Sequence, residues 1–133
     1  MSKKGRSLPE FFFVISPEGF LYGCGYYSAS TASMESLRKL ILAGDRAFQA
    51  ALSAYENQDT FQLDGDLYKR SRYPGQPEHL RDWLDRKTIC FLCSSDDFDL
   101  LYSEELARVL AEGYQTLAPV YRLLIKAENL SST

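Results

Sequence analysis

The chain has 133 residues and a net charge of -3, with 45% hydrophobic, 14% aromatic and 25% charged residues. This length suits one compact domain, and this composition excludes wholesale disorder. Acidic residues number 18 against 15 basic ones, and Lys3, Lys4 and Arg6 account for three of the latter. That balance argues against nucleic acid as the main partner, because a phosphate backbone needs a basic face.

Residues 1–9 are expected to be a flexible lead, and residues 10–133 a single α+β domain. The longest apolar run, Phe11 to Ile15, is too short to span a bilayer or to form a signal core. A cytoplasmic protein without membrane association is therefore expected. Cys24, Cys90 and Cys93 all lie in apolar stretches, which suits reduced core thiols.

Glu10 to Ser16 reads as a strand with apolar residues on both faces, so both faces should be covered. Pro17-Glu18-Gly19 has the chemistry of a three-residue hairpin loop. The return strand, Phe20 to Tyr27, puts Gly23 and Gly25 on one face, where a backbone or ligand can approach closely. Ser28 to Thr31 supply helix caps. A helix is expected from about Ala32 to Ala43, ended by Gly44, and Asp45 should cap a second through about Tyr55.

Asp64-Gly65-Asp66, between Phe61-Gln62-Leu63 and Leu67-Tyr68-Lys69-Arg70, predicts a second hairpin. Pro77 suits the first turn of a short helix that carries Leu80, Trp83 and Leu84 inward. Thr88 to Cys93 is the next strand, and Ser94 to Asp99 an acidic loop. Ser103 should cap the last and longest helix, running to about Ala127 on the stripe Leu106, Val109, Leu110, Gly113, Leu117, Val120 and Leu124. Pro119 should kink it near Gln115. These elements make an α+β fold, a mainly antiparallel sheet built from hairpins and packed on about four helices.

Several segments follow a pattern: Phe12-x-Val14-x-Ser16-Pro17-Glu18-Gly19, Gly23-Cys24-Gly25-Tyr26-Tyr27, Leu37-Arg38, Phe61 to Arg70, and Ala111-Glu112-Gly113-Tyr114 with Leu117-Ala118-Pro119. In order and spacing, Phe11 to Ala127 resembles the carboxy-terminal part of a bacterial family, domain of unknown function 2461. The resemblance implies an amino-terminal helical half in family members, bearing an Arg-x-x-Arg-Asp-x-Arg-Phe motif. That motif is not found in this sequence, so its chemistry is not carried over. The family has no assigned activity to import.

Gly23-Cys24-Gly25-Tyr26-Tyr27-Ser28 lacks the third glycine of a dinucleotide fingerprint and the parallel βαβ unit around it. Its glycines instead allow close packing of the Met34–Ala43 helix. Cys90 and Cys93 have redox-pair spacing but should point to opposite faces of a strand. Zinc would need both Cys24 and His79 as well. His79 reads as an exposed helix residue. Asp96, Asp97 and Asp99 lack the central glycine of a calcium loop. No metal or cofactor is expected.

Lys69, Arg70 and Arg72, interleaved with Tyr68 and Tyr73, are the most ligand-like feature, a possible phosphate site beside Gly23 and Gly25. Basic strand edges more often serve to resist edge pairing. The first reading is therefore a non-enzymatic protein-interaction domain, a truncated relative of the family. It would form a homo-oligomer or bind a protein partner through Phe12, Val14 and Tyr27. The alternative is a small enzyme or phosphate-ligand binder using Tyr68, Lys69, Arg70 and Arg72, with Tyr22, Tyr26 or Tyr68 as acid–base groups.

Overall fold

In a computed structural model of the chain, residues 8–131 are described. Most of the expected flexible lead, including Lys3, Lys4 and Arg6, lies outside them. The order is β1 (Glu10–Ser16), β2 (Gly19–Gly25), α1 (Thr31–Leu42), α2 (Arg46–Glu56), β3 (Gln62–Asp64), α3 (Glu78–Leu84), β4 (Cys90–Ser95), α4 (Phe98–Leu101) and α5 (Leu106–Ser131). The four strands form one antiparallel sheet in the order β1-β2-β4-β3. The α+β class expected from the sequence is the fold observed.

The first hairpin forms with a shorter loop than expected. Ser16 pairs with Gly19, so the loop is Pro17-Glu18 and Gly19 already belongs to β2. The caps of α1 and α2 follow the sequence closely, whereas α5 starts at Leu106 and not at Ser103, whose Oγ accepts from the Glu105 amide at 3.1 Å. Ser30 Oγ accepts from the Ser33 amide at 3.0 Å, and Asp45 Oδ2 accepts from the Ala47 amide at 2.8 Å. Lys126 Nζ also reaches Asp45, at 2.8 Å, which ties the start of α2 to α5. Those two bonds hold the Asp45 carboxyl below its ordinary range, the Lys126 bond most of all.

The hairpin expected at Asp64-Gly65-Asp66 does not form. β3 pairs with β4 instead, and the chain beyond Gly65 runs on beside residues 85–87. There Tyr68 N donates to Asp85 O and Lys87 N to Asp66 O. Gly65 has a φ of 118°, and a β-carbon on it would strike the Thr88 carbonyl. The glycine thus serves a close approach to a later segment rather than a local turn. The acidic stretch is not a plain loop either. β4 extends to Ser95, and Asp97 caps α4 by accepting from the Leu100 amide at 2.9 Å.

Phe11, Phe13, Phe20, Tyr22, Cys24 and Phe91 share the inner face of the sheet, on which α5 lies with α1 and α2 against it. Trp83 of α3 is the joint between layers. Its ring meets Phe48 at 5.3 Å, Tyr55 at 6.0 Å and Phe91 at 5.0 Å. α5 passes through Pro119 and buries Leu117, Val120, Leu123, Leu124 and Ala127. The earlier stripe residues Leu106, Val109 and Leu110 are half-buried.

Candidate functional site

The other sheet face has no helix on it among the described residues. The register sets Phe12, Gly23 and Leu92 in one transverse row, and Glu10, Gly25 and Cys90 in the next. The glycines leave bare backbone between two walls of side chains. A groove of about 400 Å³ results, lined by Glu10, Phe12, Val14, Leu21, Gly25, Tyr26, Tyr27, Cys90 and Leu92. Val14 is 48% exposed and Tyr27 is 90% exposed. Phe12 is half-buried like Phe11 and Phe13, and Ile15 on the inner face is 58% exposed, so the strand is fully covered on neither face, contrary to the expectation that both would be.

The glycines do not serve to seat the Met34–Ala43 helix, as the sequence suggested. A β-carbon on Gly23 would strike the Phe91 carbonyl, and one on Gly25 would strike Cys90. Both positions are needed because β4 lies so close to β2.

Cys90 and Cys93 do point to opposite faces, since Cys90 pairs with Gly25 and Cys93 with Tyr22. Burial, aided by Cys90, pushes the Cys24 thiol up to about 12. Burial, and next the charge of Asp64, push Cys90 up to about 11. Thiols held this far above neutrality are poor nucleophiles. Tyr26, one of the suggested acid–base groups, is buried and donates to Glu128 Oε1 at 2.9 Å. Burial raises Tyr22 above its ordinary value. His79 is exposed.

The basic segment is a different place. Tyr68 and Arg72 come together, with the Arg72 guanidinium 4.8 Å from the ring centroid. Lys69 and Arg70 are exposed and form no ion pair among the described residues. Gly23 and Gly25 do not join this cluster: Gly25 lines the outer groove, whereas Tyr68 lines a cavity of about 240 Å³ with Leu67, Ser71, Glu78, Arg81, Asp82 and Asp85. The single basic-and-glycine pocket of the alternative reading is not formed.

Two further residues at Tyr68 went unforeseen. Arg38 of α1 and Lys87 place their charges 5.5 and 5.7 Å from the same ring. Arg38 is 2% exposed, donating from Nε to Leu84 O at 2.9 Å and from Nη2 to Arg86 O at 2.7 Å, and pairing with Glu35 at 2.7 Å. Its signal in the sequence was a charge on the apolar stripe of Met34, Leu37 and Ile41. Lys87 gave no such signal.

No helix is long and apolar enough to cross a membrane among the described residues. No curated protein and no solved structure matches the chain. The model of one family, described as conserved hypothetical protein (DUF2461), matches residues 1–122. That match covers nearly all of the sequence, and the chain belongs to this family.

Proposed function

We propose that the chain is a protein-interaction domain that binds a second copy of itself through the outer face of its sheet. The observation that carries this reading is the apolar groove built wholly from sheet residues and the segment just after β2. Apolar surface gathered in this way is the usual mark of an interface.

A second copy fits because the face offers both a hollow and a projection to fill it. The hollow lies over Gly23 and Gly25, between Phe12 and Leu92. The projection is Tyr27, two residues beyond Gly25 and almost fully exposed. In a two-fold arrangement each Tyr27 enters the hollow of the other chain, a self-complementary contact. Four strands about 4.8 Å apart, with about 3.3 Å per residue, present roughly 400 Å² in projection. The face is small for an obligate interface, so the dimer is a reversible one.

Sedimentation velocity over a concentration series tests the reading. A monomer–dimer equilibrium is expected, with Tyr27→Ala weakening it. Phe12→Asp should abolish it by placing an unpaired charge in the contact, while circular dichroism stays unchanged. A monomer at every concentration would refute self-association.

A further inference from the structure

We propose that Tyr68, Arg72 and Lys87 bind the phosphoryl group of a small hydroxyl-rich phosphate ester, whose remainder occupies the adjoining cavity. This site is independent of the outer sheet face.

Three cations converge on one ring: Arg72 at 4.8 Å, Arg38 at 5.5 Å and Lys87 at 5.7 Å from the centroid. Among the described residues, Arg38 alone of the three has a carboxylate partner, Glu35. Arg38 is held by the Leu84 and Arg86 carbonyls, so it acts as a fixed part of the frame. Its Nη2 lies 3.4 Å from the Tyr68 hydroxyl oxygen as donor. The hydroxyl donates to no acceptor among the described residues and is available to a ligand.

The loop carrying Arg72 is fixed independently of its charge. Asp85 accepts from the Arg72 backbone amide at 2.9 Å and from Ser71 Oγ at 2.7 Å. Both Asp85 oxygens are thereby committed to the loop, and the Arg72 guanidinium is left to lie over Tyr68. Arg72 and Lys87 make no ion pair among the described residues, so an anion at the ring would meet two uncommitted cations. A phosphoryl group also offers oxygens in several directions, which suits a guanidinium, an ammonium and a hydroxyl donating from separate elements.

The adjoining cavity of about 240 Å³ has a different character. Glu78, Asp82 and Asp85 line it together with Arg81. The Arg81 Nε–H is buried with no hydrogen-bond partner. The carboxylates disfavour a second anion, Glu78 and Asp82 can accept hydrogen bonds from ligand hydroxyl groups, and an oxygen of the same ligand would satisfy Arg81. The phosphoryl group therefore stays at the rim, and the hydroxylated part goes in.

Titration calorimetry and phosphorus NMR at constant ionic strength test this with inorganic phosphate, ribose phosphate and ribose. Ribose phosphate should bind more tightly than phosphate, and ribose should not bind measurably. Arg72→Gln with Lys87→Gln should abolish binding of both phosphates while the thermal midpoint without ligand is kept. Tyr68→Phe should weaken binding about fivefold, the scale of one hydrogen bond. Lys69→Gln with Arg70→Gln should leave the affinity within about twofold, since those side chains lie outside the cluster. No binding of either phosphate at millimolar concentration, or unchanged binding by the double Arg72/Lys87 variant, would overturn the site. Equal affinity for phosphate and ribose phosphate would overturn the role given to the cavity.

Discussion

The Tyr114 hydroxyl donates to the backbone carbonyl of Phe12 at 2.8 Å, joining the middle of α5 to the edge strand β1. The Tyr114 ring also meets the Phe11 ring at 4.9 Å, so the helix holds both the backbone and an inner side chain of this strand. The bond thus ties the first strand to the helical layer from the inner side of the sheet.

Tyr114→Phe should keep the ring contact and lose the bond. The expected loss is about 0.5 to 1.5 kcal/mol, measured as a lower urea midpoint with an unchanged slope. Dimerisation through the outer face should persist.

Arg38→Met keeps much of the volume and apolar length of the side chain but leaves the Leu84 and Arg86 carbonyls without their donor. A loss of about 2 to 4 kcal/mol is expected, because buried acceptors left unmade cost their full desolvation. Chemical denaturation measures it. A change below about 0.5 kcal/mol, the scale of an ordinary surface substitution, would show that the guanidinium is not the tie between α1 and the end of α3.

Along α5, Leu117→Ala should cost about 2 to 5 kcal/mol, the range for a fully buried leucine. Leu110 is half-buried, so Leu110→Ala should cost about half as much or less. Equal midpoints for the two variants would contradict the burial gradient along the helix.

The thiols give a pH prediction. In the unfolded chain a cysteine loses its proton near about 8.5. Folded, Cys24 holds it up to about 12 and Cys90 up to about 11. Between these limits the unfolded state binds fewer protons than the native one, so stability falls as pH rises through the alkaline range. Denaturation midpoints should drop from about pH 9 upward, and the double variant Cys24→Ala, Cys90→Ala should show a shallower drop. Native protein should react slowly with a thiol reagent at neutral pH.

The readable part of the fold was local. The Phe- and β-branched-rich run Phe11 to Ile15 and the turn chemistry of Pro17 to Gly19 marked β1 and β2, and Ser30 and Asp45 marked their helix starts, because each signal spans only a few residues. Asp64-Gly65 misled for the same reason. Its turn chemistry is local, whereas β4, which β3 pairs with, lies far downstream. The outer face was half readable. Alternation placed Phe12 and Val14 together, but only the packed helices decide which face they leave bare. The Tyr68 cluster draws Arg38, Arg72 and Lys87 from separate parts of the chain, and no spacing rule joins them.

The one tryptophan of the sequence, Trp83, is shut inside a cage of Phe48, Tyr55 and Phe91, on the side of the sheet away from the groove. Its emission is consequently a built-in gauge of the interior. Opening the helical layer exposes the indole to water and moves its fluorescence to the red, whereas closing one outer face upon another leaves the indole in the same surroundings. Folding and association, which mass and shape measurements blend at any given concentration, are thereby separated by colour.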